Sequence, residues 1–527
     1  MTSRAQARGA PIHIGRLAGI LLIAFSVIFG TGCASGPSAR PPARAAKAGT
    51  ANTESSSLES LRRDIRSAFQ GVRLEKYASA DQLMRSVVAD PLFKKLAVQD
   101  RRDALYMASL LAGGQEDWKR SHALSVELTA IDGDREESWS RRYEAAMNAD
   151  DQRDAAQSIA AIAQRWPSML SDFEDRGIMQ TIFDLRRQPR AEKDWLLLVE
   201  ALRAADWHFA DQREPSAVWR DLSVYYIEHR DWQRATDVAA HVTAPQILVG
   251  MRSDKQFDRV VGRNPLINDI DRAVDVEIEL LRASARRTPQ SLDKRNELAL
   301  SLIYANRNAE ALSLLDESAA RIRAATGDKP PFDDMDQVVW VYDYRGRALR
   351  GLGRFDEALA QYVEVSQMKE NGDTNVSQAI NLGEFYCLLD RPRDALAAIA
   401  KLGRMSPFGE TQLEAVRNCA AQRLNDTREA ARTLKFLREN QNLSPGTYQV
   451  ALALVDDRDA GARLMIARLK DPKLRTDALA EAQEYAEPPP TPVGEILAAN
   501  YRAMLARSGV QRAILKVGRT AHYNIIN

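Results

Sequence analysis

Apolar residues recur at helical spacing from Ser57 almost to the end of the chain. Leu58, Leu61, Ile65 and Phe69 form the first such stripe, since positions three and four apart share one helix face. No sustained alternation of β-branched residues interrupts the pattern, so no hairpin is expected and the fold class is all-α. Two stretches lack the stripe. Residues 34–56 hold Gly, Pro, Ser, Ala and Thr without apolar periodicity, and Glu487-Pro-Pro-Pro-Thr-Pro492 breaks the pattern near the end. Beyond that break Ile496, Leu497, Tyr501, Met504 and Leu505 mark one last helix, expected to cap the open end of the array.

The helical pattern repeats. Its clearest unit is Tyr342-x3-Gly346-x2-Leu349-x3-Gly353-x-Phe355-x2-Ala358-x3-Tyr362. Gly383, Tyr386, Asp390, Pro392, Ala395 and Ile399 stand at the same offsets, as do Ala299, Leu302, Asn306, Asn308, Ala311 and Leu315, while Ala430 and Leu434 belong to a degenerate copy. Trp139, Ala155 and Pro167 carry a variant with tryptophan, and so do Trp219, Leu222, Tyr226, Trp232 and Ala235. The set resembles the tetratricopeptide repeat, a pair of antiparallel helices about 34 residues long. The resemblance implies that Gly346 and Ala358 lie where paired helices approach, and that Gly353 supplies a left-handed helix end. It implies a core role for Trp139, Trp219 and Trp232. Ala311, Ala358, Ala395 and Ala430 are 47, 37 and 35 residues apart; the long interval holds an inserted loop, Ala324–Asp336. Residues 168–210 and 245–290 fit the repeat loosely. Stacked helix pairs make a continuous core, so a helical-repeat α-solenoid is the expected architecture.

The N-terminus reads as an address. Arg4, Arg8 and Arg16 precede an uncharged apolar run of 14 residues, Leu17 to Gly30. A membrane-spanning helix needs about 20 such residues, whereas secretory signal cores run to roughly 7–15. Gly30, Thr31 and Gly32 lead into Cys33, which resembles the bacterial lipobox, although Gly30 stands where that family favours leucine. The resemblance implies a lipid on Cys33 as the new N-terminus. Ala34 and Ser35, with no acid after the cysteine, imply the periplasmic face of the outer membrane. An ordinary cleaved signal and a soluble periplasmic protein are the alternative. The expected organisation is a signal peptide over 1–32, a flexible tether over 33–56, N-terminal repeats over 57–265, C-terminal repeats over 266–480, and a Pro-rich break with capping helix over 481–527.

Charge narrows the partners. Lys and Arg total 73 against 72 Asp and Glu, and loss of the three leader arginines leaves 70. Phosphate-backbone binding relies on a cationic surface, so nucleic acid is not expected. No phosphate loop, nucleophile elbow, zincin motif, paired-cysteine zinc motif or calcium loop occurs, so the chain carries no expected catalytic residue, metal, cofactor or small-molecule substrate. The histidines, at 13, 122, 208, 229, 241 and 522, are scattered. Asp333, Asp334 and Asp336 read as a solvated acidic loop. Cys387 and Cys419 lie on adjoining first helices by repeat register; two small apolar thiols are the favoured reading, and a disulfide is sterically open.

Repeat solenoids offer long concave surfaces for protein or peptide partners. Register places Asn296, Trp340, Asp343, Arg347, Arg350 and Glu384 on that surface, with Trp340 as an aromatic anchor and the arginines as a carboxylate clamp. A solvated polar face is the plain alternative. The expected function is a non-enzymatic, membrane-tethered scaffold. Two rivals are an envelope enzyme, acting on glycan and hiding a non-repeat domain in 168–210 or 245–290, and a structural subunit of an envelope assembly.

Overall fold

The computed structural model describes residues 48–326, 329–370 and 373–526. Cys33, the signal segment and most of the expected tether lie outside them. Two compact units divide at Trp207 and His208. The first contains α1 (Ala48–Arg73), α2 (Tyr77–Ala89), α3 (Val98–Gly114), α4 (Trp118–Ile131), α5 (Glu136–Asn148), α6 (Gln152–Arg165), α7 (Asp175–Arg187) and α8 (Glu192–Ala204). The second begins with α9 (Ser216–Glu228), α10 (Trp232–Ala239), α11 (Pro245–Ser253), α12 (Ile270–Arg287), α13 (Leu292–Tyr304), α14 (Asn308–Ala324), α15 (Val338–Gly351) and α16 (Phe355–Ser366). It continues with α17 (Val376–Leu388), α18 (Pro392–Ala398), α19 (Pro407–Arg423), α20 (Thr427–Glu439), α21 (Pro445–Leu454), α22 (Arg458–Lys470), α23 (Pro472–Glu481), α24 (Pro492–Leu505) and α25 (Ser508–Val517). The protein is an all-α helical repeat.

One local device makes the pairs. Glu75, Glu116, Asp150, Arg230, Asn306, Gly353, Asp390, Asn425 and Asp456 each take a positive φ just after a first helix. The next residue's N–H returns to the carbonyl five positions back, as in Asp117→Ala112 (2.9 Å), Arg354→Leu349 (3.0 Å) and Asp457→Leu452 (3.0 Å). That closure satisfies a carbonyl that the helix end would otherwise orphan. The same next residue starts the second helix. In Asp117, Asp151, Asp231, Asp426 and Asp457 the carboxylate accepts the N–H three residues on. Stop and start thus occupy two adjacent residues.

A fixed turn fixes the crossing. Seven residues before each positive-φ position and five after it lie Ala68/Ala80, Ser109/Ser121, Tyr143/Ala155, Ser223/Ala235, Ala299/Ala311, Gly346/Ala358, Gly383/Ala395, Asn418/Ala430 and Gln449/Gly461. The alanines among them are all buried. Where the first member is polar, it donates to the second member's backbone carbonyl: Ser109 (3.1 Å), Ser223 (3.0 Å), Asn418 (3.2 Å) and Gln449 (2.9 Å). The helix pairs read from sequence are therefore joined by α1/α2, α3/α4 and α21/α22. Residues 168–210 and 245–290 contain α7, α8, α11 and α12.

Several expectations are corrected. Helix α1 starts at Ala48, inside the stretch expected to be tether; no proline stands between Pro42 and Pro91 to stop it. The unit boundary falls at 207/208 and not 265/266, because the intervening residues are bonded onward. Thr476 Oγ1 donates to Asp254 (3.0 Å), and Arg519 N donates to the Ser253 carbonyl (2.9 Å). An antiparallel pair does occur, Lys369–Glu370 (β1) with Asp373–Thr374 (β2); the sequence between them, Asn-Gly, is a strong hairpin dipeptide that the helical reading passes over. Trp232 is 36% exposed, beneath the Arg259 guanidinium, and Trp139 is half-buried; Trp219 alone of the three is fully buried.

Asp334 is no solvated loop residue. Its carboxylate accepts from Leu292 N (2.6 Å), Asp293 N (2.9 Å) and Ser291 Oγ (2.8 Å), covering the start of α13. Cys387 and Cys419 are joined as a disulfide between α17 and α19, with Cα atoms 6.3 Å apart. The C-terminal end is more than a cap. Helix α24 packs on α21 and α22, α25 on α22, and residues 518–526 return to α11 and α13.

Two predictions follow from this packing. Ala358→Leu and Ala395→Leu force methylenes into fully buried crossings and each lower stability by about 1–3 kcal/mol; an unchanged thermal melt for both would mean the crossing register is wrong. Burial works against the Asp334 charge, but the three donors outweigh it and hold this carboxyl below the usual range. A depressed folded value stabilises above the unfolded value, and that gain is lost as pH falls. Asp334→Ala therefore costs roughly 0.5–2 kcal/mol at neutral pH, a difference that shrinks once pH drops below about 3.9. A wild-type-to-variant gap that is constant down to pH 2 would contradict the assignment.

Candidate functional site

Helices α13, α15 and α17 are first helices of consecutive pairs, and their side chains form a continuous polar and aromatic strip. Trp340, in the first turn of α15, is 37% exposed and lies against Tyr344 with ring centroids 5.7 Å apart. The Arg347 guanidinium sits 5.5 Å from the Tyr344 ring, and its Nε donates to Asp343 at 2.7 Å. These residues are three or four apart, so they share one helix face. Tyr342 and Leu349 on the other face are buried in the core.

Neighbouring helices complete the strip. Asn381 on α17 donates through Nδ2 to Asp343 (3.0 Å) and lies 3.4 Å from Gln378 Oε1. Asn296 on α13 donates to the Gln337 carbonyl just before α15 (3.1 Å). Among the described residues, the buried Oδ1 of Asn296 and Nε2 of Gln378 have no partner. Such groups cost free energy when nothing meets them. The strip thus buries one unmet acceptor and one unmet donor beneath its surface.

Charge is locked within it. The Asp343 side chain is fully buried, and Arg347 is about a third exposed. Burial alone would lower the Arg347 guanidinium, but Asp343 outweighs it and raises the group. Burial pushes the Tyr344 hydroxyl up to about 12, against the pull of Arg347. Tyr362, beneath the strip, is also pushed up to about 12 by burial, with the Arg350 charge opposing and Glu384 reinforcing. Both phenols are neutral donors at physiological pH.

The structure places Trp340, Asp343 and Arg347 on one face of α15, with Arg347 bonded to Asp343. Asp343 is not on a groove surface; it is buried and shared by Arg347 and Asn381. Arg347 is therefore committed, and a clamp built from it would strip the buried carboxylate of its cation. Asn296 is buried too, Arg350 is half-buried beside Tyr362, and Glu384 is exposed. Tyr344, Gln378 and Asn381 were not singled out from sequence. Asn381 lies two residues before Gly383, as Tyr344 lies two before Gly346, so aligning the two first helices would have found it.

Beside the strip, Arg213 pairs with Asp211 (2.7 Å) and Glu297 (3.2 Å), and Lys294 with Glu297 (3.1 Å). Burial raises Glu277 and Glu297 in this cluster. In the first unit His122 Nε2 meets Asp154 at 2.8 Å, and Arg142 binds the same carboxylate. Among the described residues, no three or more His, Cys, Asp or Glu side chains converge as a metal site.

Residues 291–332 match the tetratricopeptide repeat family model. The match spans α13, α14 and the loop as far as Phe332, around the Ala299/Ala311 crossing. No curated protein sequence matches the chain. Among solved structures, the crystal structure of the APC/C hetero-tetramer Cut9–Hcn1 is 11% identical over 88% of each chain, with a TM-score of 0.32. The human IFIT1 dimer with PPP-AAAA is 12% identical over 75% of this chain and 88% of that one, with a TM-score of 0.27. Naa15/Naa10 bound to HypK-THB is 13% identical over 77% and 68%, with a TM-score of 0.18.

Proposed function

We propose that the chain is a non-enzymatic scaffold, held at the periplasmic face of the outer membrane by lipid on Cys33, that binds a protein or peptide along the α13–α15–α17 strip. The observation that carries the binding role is Trp340, an exposed indole supported from below by Tyr344, Arg347 and buried Asp343. Large aromatic side chains on a rigid backing are the usual anchors of interfaces. The exported location draws support from the Cys387–Cys419 bond, since structural disulfides persist in oxidising compartments. No helix among the described residues is long and apolar enough to cross a membrane.

The two parts of the proposal are tested separately. A fatty-acid analogue labels the wild type but not Cys33→Ser; equal labelling of both would overturn the anchor. For binding, the informative variant is Trp340→Ala alone, with its partner captured by crosslinking in envelope fractions. It lowers affinity by roughly thirtyfold, about 2 kcal/mol, and leaves the melting temperature close to wild type. Arg347→Ala serves as contrast: it strands buried Asp343 and lowers stability by about 1–3 kcal/mol. Full partner recovery by Trp340→Ala together with a sharp loss of stability would make Trp340 a core residue.

A further inference from the structure

The second unit is closed by its own C-terminal segment, and we infer that residues 518–526 are a latch whose release opens the unit beside the strip. The inference rests on the proposed role of the strip only for what the opening exposes.

The segment runs along helix ends. Arg519 N donates to the Ser253 carbonyl (2.9 Å) and Arg519 Nη1 to the Arg252 carbonyl (2.8 Å), both at the C-terminal end of α11. Ile526 N donates to the Tyr304 carbonyl, the last of α13 (2.9 Å). The final carbonyls of a helix have no partner within it and carry the negative end of its dipole. The segment therefore supplies donors, and in Arg519 a cation, where two separate helices lack them. Between these points His522–Tyr523 (β4) pairs in parallel with Glu484–Tyr485 (β3), and Asn524 reaches Asp271 (3.1 Å).

These joints have the character of a fastening and not of a core. The apolar cluster of α22–α25, with Met465 and Ile514, is distinct from that of α12–α17, with Leu281 and Phe385. Ile526 packs on the second of these, while Tyr523 and Ile525 are buried. Much of the remaining closure is polar. Arg519 grips Asp258 with both bonds at 2.7 Å, in an exposed position; exposed pairs of this kind exchange readily with water. Thr476 on α23 meets Asp254 beyond α11 (3.0 Å).

Gly518 is the point where closure depends on a missing side chain. A Cβ there would lie 2.4 Å from the Ser253 carbonyl and 2.6 Å from Leu479 Cδ2. Ile526 rests on the same apolar cluster against which Tyr344 of the strip packs. Ile526 also holds the Tyr304 carbonyl, and the Tyr304 hydroxyl acts on that of Tyr344, so the inferred release loosens the Tyr304–Tyr344 side of the strip.

The test uses the full chain with spin labels at Gln246 on α11 and Lys473 on α23, both exposed. Wild type gives one short distance. Gly518→Val and the milder Arg519→Ala each add a longer-distance population, and hydroxyl-radical oxidation of Tyr344 rises severalfold in both. Gly262→Val, whose Cβ meets nothing within 4 Å, behaves as wild type. If Gly518→Val does not fold, Arg519→Ala carries the test. Unchanged distances in the folded variants would overturn the latch. Longer distances with unchanged Tyr344 oxidation would overturn its gating of the strip. Neither readout needs a partner, so failure here is distinct from failure of the binding role.

Discussion

A left-handed residue followed at once by a helix start recurs after nine first helices of the described chain, and the packing of each pair depends on it. The turn holds its two helices at a constant offset, so the residue seven before it and the residue five after it must share one crossing. That constraint excludes bulk in most pairs. It is met by Gly346 with Ala358 and Gly383 with Ala395, and also by a different chemistry. In Ser109, Ser223, Asn418 and Gln449 a polar side chain bridges to the opposing carbonyl, so the crossing is bonded as well as packed. Positive φ in an L-residue costs roughly 1–2 kcal/mol, yet only Gly353 of the nine is glycine. The returning backbone bond and the aspartate that caps the next helix offset that cost.

The strip is a consequence of the same turn. Because the pairs of the second unit are closed alike, its first helices α15 and α17 present equivalent positions, and Asp343 meets Asn381 across pairs. Burying Asp343 is tolerated because Arg347 and Asn381 both reach it. The network in turn fixes Tyr344 and leaves Trp340 as the exposed member. Under the proposed binding role, specificity for a partner would come from shape and hydrogen bonding near Trp340 more than from Arg347, whose charge is already spent on a buried acid.

Much of the repeat was legible from sequence because small residues at fixed spacing leave a visible mark: Ala155, Ala235, Ala311, Ala358, Ala395 and Ala430 are all buried at crossings. Ser109 with Ser121 and Gln449 with Gly461 were not, since neither crossing has an alanine as its second member. Trp340 could be placed by its three- and four-residue spacing to Asp343 and Arg347. The burial of Asp343 could not, because it is decided by Asn381 on another helix. Asp334 looked like one acid of a loop until the start of α13, more than 40 residues earlier, was found beneath it. The return of residues 518–526 to Ser253 and Tyr304 is likewise a contact across more than 200 residues, and no local pattern announces it.

The central claim is that the turn's length, more than the apolar content of either helix, determines how each pair packs. Its most direct test is the melting midpoint of two single-alanine insertions in the full chain. One is placed between Leu352 and Gly353, which shifts every residue of α16 against α15. The other follows Lys329, in the exposed part of the loop before α15. The account predicts a large fall in midpoint for the first and little change for the second. Equal midpoints for the two insertions would contradict it.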